Sequence, residues 1–322
     1  MKNFRINPEE ANQTLEKYVR KILPLAPLSF IYKQFRKKDV KVNGHWEDMK
    51  YCIKENDEVS LYITDALYEE FTVNNTYSKN DRVSSMVIFE DKNVLILNKP
   101  RGILVQQDAS KEKALDQMVV EYLMFKGEYD PNKNKGFKPG PVHRIDRNTS
   151  GIVIFGKNRD TLAYLSDLIK NHIKIKKKYL SLVVGEDIED GFIEAPLRKN
   201  FSTKKVVVCK EKDGGKYAKT IYKVKEKYNG YTLLELTLVT GRTHQIRVHM
   251  SYLRHHVAGD SKYGDFKANN QLQKLYGFKD QFLHANEIEF EELEGHLKYL
   301  SNKKFLADMP KEFVNLLNNL KN

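Results

Sequence analysis

From Met86 onward, short apolar runs are set apart by turns, helical stretches and irregular loops of uneven length, with no regular alternation of strand and helix. That texture counts against a doubly wound parallel sheet. It predicts an α+β domain whose mixed, mainly antiparallel central sheet is flanked by helices and loops. The segment VIFEDKNVLILNKPRGILVQ reads as two strands around a turn, broken at Pro100 and Gly102. Further strands are predicted at 152–156, 179–184, 205–209, 218–226 and 231–239, and helices at 114–124, 159–172 and 243–253.

Residues 1–64 read as a separate small α/β unit, and a chain of 322 residues suits two domains. Leu15, Tyr18, Val19 and Ile22 recur at helical spacing. Pro24 and Pro27 then break the chain, and Ser29 suits the cap of a second helix that places Ile31 and Phe35 on one face. Asn43-Gly44 between VKV and HWE is a two-residue hairpin signal, and EVSLYI reads as one more strand. Residues 65–85 lack a clear period, are rich in Asn, Ser, Thr and charge, and read as a linker; residues 86–322 form the larger domain.

The net charge of +12 points to a polyanionic partner, nucleic acid before an anionic membrane surface, although a merely basic soluble protein carries such a balance too. Lys33, Arg36, Lys37 and Lys38 occupy the polar side of the second helix and Lys41 follows it, with Asp39 the only acid among them. Beside a hairpin they suit phosphate contact; a solvated helix face is the alternative. Two cysteines, Cys52 and Cys209, make neither a disulfide framework nor a multi-cysteine zinc site. The polar start MKNFRINPEE has no apolar core of a secretory signal, and no apolar run approaches the ~18 residues of a membrane span. A reducing cytoplasm is the expected address, with no membrane partner.

Three segments have the residue types that chemistry needs. In GPVHRIDRNTSGIVIFGKN, Asp146 stands where a strand ends and a polar loop opens, two residues after Arg144. A sheltered carboxylate near a cation can act as nucleophile or general base. Asp146, Asn148 and Thr149 also suit ordinary turn residues capping their own backbone. In LVTGRTHQIRVHM, a helix starting near Thr243 buries Ile246, Met250 and Leu253 and sets His244 and Arg247 on another face. Arg247 can pair bidentately with a buried carboxylate, or lie on the surface. His244, His249, His255 and His256 come without an HExxH pattern and read as structural rather than metal-ligating. In NHIKIKKKYLSLVVG, Lys174, Lys176, Lys177 and Lys178 lead into a strand at Tyr179, a place to hold a phosphate and stack on a base, or a core tyrosine under a solvated lysine run. No P-loop, GxGxxG, deaminase or GxSxG pattern is present, and no Gly-rich loop of the kind an RNA methyltransferase needs for its cofactor.

Taken together these blocks resemble a known family. GPVHRIDRNTSG is similar to the catalytic motif of the RluA-type pseudouridine synthases, usually seen as HRLDxxTSG, with Ile145 for the commoner Leu. FEDKNVLILNKPRGILV, KKKYLSLVVG, TGRTHQIRVHM, GDSKYG and FLHA resemble the family's other blocks in order across residues 86–285, with Gln106 where His is frequent. After FLHA the usual His-Pro strand end gives way to EELEGHLKYLSNKK, a departure that concerns the edge of the sheet. Residues 12–63 resemble the S4-like RNA-binding domain often placed ahead of this catalytic domain.

The resemblance implies isomerisation of uridine to pseudouridine in RNA, without metal or cofactor; a monomer is the expected state. Asp146 matches the family's essential aspartate and Tyr179 the tyrosine that stacks on the base and is a candidate to take the sugar proton. Arg247 matches the arginine paired with the aspartate, and Arg144 the arginine that fills the gap left by the flipped nucleotide. Further RNA contacts are expected at Lys33, Arg36, Lys37, Lys38, Lys41, Lys177, Lys178 and Arg242. An amino-terminal S4-like domain suggests large-subunit ribosomal RNA, with transfer RNA as the alternative. A ribosome-associated RNA-binding protein without catalysis would lack Asp146, Tyr179 or Arg247, and all three are present.

Overall fold

The computed structural model describes residues 1–72, 81–108, 112–131, 133–134, 136–200, 202–203 and 205–321. Two compact units emerge, one of residues 1–81, 118–140 and 157–160, the other of 82–117, 141–156 and 161–322. Residues 118–140 and 157–160, which the sequence reading placed with the larger domain, therefore group with the amino-terminal segment.

In the first unit, Leu15–Ile22 is a helix capped by the Thr14 hydroxyl, which accepts from the Lys17 amide. Its Leu15, Tyr18, Val19 and Ile22 face a core shared with Ile31, Phe35, Val40, Val59 and Leu61. The second helix, Leu28–Arg36, starts two residues earlier than a Ser29 cap would allow; Pro27 takes the capping position. Asn43 and Gly44 both have positive φ, 50° and 81°, as a type I′ hairpin requires. A four-stranded antiparallel sheet follows the order Lys2–Arg5, Glu58–Leu61, Val40–Val42, His45–Trp46. The stretch expected as a linker opens with a helix instead, Asp65–Phe71, because Thr64 caps it and Leu67, Tyr68 and Phe71 pack on the core. Residues 73–80 of that stretch lie outside the described residues. Within this unit Glu10 accepts from the Gly136 amide at 3.0 Å, and Arg159 donates to the Glu9 carbonyl at 2.8 Å.

The second unit is built on a mixed sheet. Its path runs Gly191–Glu194, Lys219–Tyr228, Tyr231–Leu238, Ile175–Val184, Leu283–Phe290, Ser150–Gly156, Val94–Lys99, Val87–Glu90. Every pairing along it is antiparallel except Ser150–Gly156 with Leu283–Phe290, so the expected α+β fold with a mixed, mainly antiparallel sheet is observed. That parallel pair is possible because Gly151 has no side chain: with φ at 109°, a Cβ there would lie 2.2 Å from the Ala285 carbonyl oxygen. The departure after FLHA leaves the sheet intact. Leu283–Phe290 continues as a strand and Lys304–Leu306 returns to pair with it. Strand Leu283–Phe290 and the helices Phe266–Tyr276 and Lys311–Lys321 carry no sequence-based expectation above. Among the described residues no helix is long and apolar enough to cross a membrane.

Candidate active site

Asp146 lies in the loop before Ser150–Gly156, and its backbone makes the turn while its carboxylate is left over. Its carbonyl accepts from the Thr149 amide at 3.1 Å. The other loop side chains are engaged elsewhere: Asn148 donates to Asp280, and Thr149 accepts from Gln281 at 2.7 Å. Lys99 braces the loop from below. Its Nζ, wholly buried, donates to the carbonyls of Pro100, Ile103 and Arg147 at 2.9, 2.9 and 3.0 Å. Burial pushes its pKa down to about 7, against the pull of Asp146. Three carbonyl acceptors, however, need the three N–H groups that only the ammonium has.

The Asp146 carboxylate, a quarter exposed, meets Arg247 Nη1 at 2.7 Å. Arg247 projects from the helix Gln245–Tyr252, whose Ile246 and Met250 anchor it in the core. The helix starts two residues later than expected, with His244 in a left-handed conformation at its cap. The bidentate partner expected for Arg247 is Asp260, not Asp146: Nε and Nη2 donate to its two oxygens at 2.7 and 2.9 Å. Burial works against both charges, yet the paired hydrogen bonds hold Arg247 raised and Asp260 lowered in pKa. Asp260 also accepts from the amides of Lys262 and Tyr263. The Tyr263 ring lies 5.1 Å from the guanidinium carbon, and its hydroxyl meets His244 Nδ1 at 2.8 Å. His244 Nε2 is 3.9 Å from Asp146, and burial lowers the pKa of its ring.

Tyr179 is nearly buried on the strand Ile175–Val184, opposite Ala285. The register slips between Lys178 and Tyr179, where Asn286 is the extra residue. Bulges of this kind re-aim side chains beside sites. Burial, reinforced by the negative charge of Asp146, pushes the Tyr179 phenol well above its ordinary value, so it stays neutral.

Asp146, Tyr179, Arg247, Arg144, Lys177 and Arg242 all line one cavity of about 900 Å³ in the second unit. Arg144 is exposed and donates to Gln106 at 3.3 Å. Of the lysine run, only Lys177 turns inward. Lys174, Lys176 and Lys178 pair with Glu294, Glu291 and Glu287, and Lys178 does not line the cavity. Lys33, Arg36, Lys37, Lys38 and Lys41 belong to the first unit. There Lys38 Nζ lies 5.4 Å from the centroid of the Trp46 ring and Lys41 Nζ 5.0 Å from that of Tyr62, both rings exposed. Among the described residues, no group of three or more His, Cys, Asp or Glu is arranged to hold a metal ion. Asp260, Tyr263 and His172 are site residues to which sequence reasoning gave no role; the GDSKYG block was the available signal for the first two.

The RNA pseudouridylate synthase family matches residues 93–252. An uncharacterized RNA pseudouridine synthase of Mycoplasma capricolum is 32% identical over 312 residues, 96% of this chain and 98% of its own. Ribosomal large subunit pseudouridine synthase C of Escherichia coli K12 is 33% identical over 298 residues, 90% of this chain and 88% of its own. Human RNA Pseudouridylate Synthase Domain Containing 4 shares the fold, with a TM-score of 0.60, 22% identity, and coverage of 75% of this chain and 95% of that one.

Proposed function

Because this chain belongs to the RNA pseudouridylate synthase family, an isomerase family, we propose that it converts specific uridines of large-subunit ribosomal RNA to pseudouridine, with Asp146 at the centre of the chemistry. The relatives named ribosomal large subunit pseudouridine synthase C support that substrate. The observation that carries the reading is a carboxylate left free by its own turn, aimed into a cavity, and held by an arginine that is itself clamped from behind.

In the reaction the bond from uracil N1 to ribose C1′ breaks, the base turns, and C5 joins C1′; C5 loses a proton and N1 ends with one. Every heavy atom of the substrate stays in the product, and the C5 hydrogen leaves to solvent as a proton. Asp146 attacks or stabilises the detached sugar or base. Tyr179, held as a neutral phenol, fits stacking on the base better than service as a base itself. Arg144, exposed at the cavity rim, fits the place left by a flipped nucleotide. Residues 1–64 act as an S4-like RNA-binding domain through Lys33, Arg36, Lys37, Lys38 and Lys41, with Trp46 and Tyr62 as stacking surfaces. Lys177 and Arg242 contact RNA inside the cavity; Lys178, committed to Glu287, has the weakest claim.

The test is a map of pseudouridines in total RNA from a strain lacking this gene, complemented with wild type or with Asp146→Asn. Sites in large-subunit RNA should return only with wild type. Sites confined to transfer RNA would move the substrate, and restoration by Asp146→Asn would remove Asp146 from the chemistry.

A further inference from the structure

Lys177 is the one member of its lysine run that points inward, and only 6% of it is exposed. No hydrogen bond or ion pair joins it to any of the described residues, although it lines the cavity. A buried ammonium without a partner costs stability, so its retention needs a reason outside the free protein. Its surroundings give one. His172 Nδ1, on the same cavity wall, is buried and has no hydrogen-bond partner. Arg242, also in the wall, is held in place by its Nε, which donates to the Tyr217 carbonyl at 2.9 Å. Between them Gly241 leaves room: a Cβ there would lie 3.7 Å from the His172 ring and 3.8 Å from Lys177 Nζ.

We propose that Lys177, His172 and Arg242 form a phosphate subsite that holds one backbone phosphodiester beside the target uridine. This rests on the RNA-isomerase reading above and adds to it where the strand of substrate is gripped. The strand geometry sets the distance. Lys177 and Tyr179 are two residues apart on Ile175–Val184, so they face the same side, roughly 7 Å apart along the strand. That is comparable to the reach from a nucleobase to an adjacent backbone phosphate. With the base on Tyr179, a phosphate falls at Lys177. The anion supplies the missing partner for the ammonium and an acceptor for the imidazole N–H.

The test begins with the uridine mapped for the wild-type enzyme, placed in a short synthetic RNA. Each linkage flanking it is replaced in turn by an uncharged methylphosphonate, and binding is measured for wild type and Lys177→Met. Loss of one charge-assisted contact should weaken wild-type binding about 10- to 100-fold at one linkage. Lys177→Met should show the same loss on the natural RNA and no further loss on the neutral one. On single-stranded RNA its salt slope should fall by about 0.7. Without RNA, Lys177→Met should melt at or above the wild-type temperature, since an unpaired buried charge is gone. Losses that multiply, an unchanged salt slope, or a lower melting temperature without RNA would each overturn the proposal. If wild type makes no pseudouridine in ribosomal RNA, the functional reading fails by itself, and the salt slope still decides the phosphate contact.

Discussion

Asp260 grips Arg247 with both carboxylate oxygens, at 2.7 and 2.9 Å, and only 1% of Asp260 is exposed. The arginine reaches Asp146 with a single nitrogen, so it carries the orientation of a buried carboxylate to the one in the cavity. Removing Arg247 strands a buried charge. Arg247→Ala should therefore lose about 3–5 kcal/mol of stability as well as turnover. Arg247→Lys offers a point charge without the fork, and should keep more stability while turnover still falls. Urea unfolding beside single-turnover kinetics checks both; an Arg247→Ala enzyme of wild-type stability would show that the Asp260 pair contributes nothing to the fold.

Asp146→Asn should behave in the opposite way. Its side chain is a quarter exposed and its backbone, not its carboxylate, makes the turn. The variant should stay within about 1 kcal/mol of wild type in stability and release no tritium from carbon-5-labelled uridine RNA, because an amide is neither nucleophile nor base. Full tritium release would refute the role of Asp146.

Acid should weaken the fold through two histidines. His249 and His284 are fully buried, and burial lowers the pKa of each. Each Nε2 donates to a carbonyl, of Ala195 or Ala307, and each Nδ1 faces a hydroxyl, of Thr220 or Ser150. Both rings are thus neutral in the fold, while in the unfolded chain they take a proton near pH 6.5. Their contribution is complete above that pH and falls as pH drops, by up to about 1.4 kcal/mol per pH unit for each. Urea unfolding at pH 7.5 and 5.5 should show a smaller drop for His249→Gln and for His284→Gln than for wild type. Equal drops would mean that these rings titrate freely in the folded protein.

Gly151→Ala should disturb both halves of the site at once. The added Cβ would meet the backbone of Ala285, which cannot swing aside as a side chain could. Ala285 is paired with Tyr179, and Gly151 follows the Asp146 loop. A loss of about 1–3 kcal/mol, with turnover reduced beyond the loss of folded enzyme, is expected. Calorimetry and single-turnover rates decide; an unperturbed variant would mean that the two strands can part at no cost.

The legible parts of this protein are those whose cause is local in sequence. The Asn43-Gly44 turn, the stripe Leu15, Tyr18, Val19, Ile22 and the Asp146 loop all follow from neighbours a few residues away. Strand Leu283–Phe290 escaped because its interior is polar: His284 is buried there only through Ser150 and Ala307, 134 and 23 residues away. Asp260 escaped for the same reason. Its role depends on a helix thirteen residues earlier turning Arg247 back onto it. In the sequence Lys177 stands level with Lys178 as an expected RNA contact; only the strand pleat separates them, turning Lys177 inward while its neighbours pair with glutamates.

The amino-terminal unit should contribute affinity rather than rate. Lys33 and Arg36 lie on the helix Leu28–Arg36, Lys37 and Lys38 in the turn that follows it rather than on the helix as expected, and Lys41 on the hairpin; all stand on the unit's own core, and none of them lines the cavity. Truncation near residue 80 is a poor test, because residues 118–140 and 157–160 belong to the same compact unit and would lose their packing. Replacing Arg36, Lys37 and Lys38 with Ala leaves that core alone. Each neutralised phosphate on single-stranded RNA adds about 0.7 to the slope of log affinity against log salt, so the triple variant should flatten the slope by up to ~2. Affinity should fall while the maximal single-turnover rate at saturating RNA holds, since phosphate contacts position the RNA without entering the chemistry. A salt titration of binding run beside those kinetics checks the expectation. An unchanged slope would place the phosphates elsewhere, and a collapsed maximal rate with intact binding would make these bases part of how the active site is assembled.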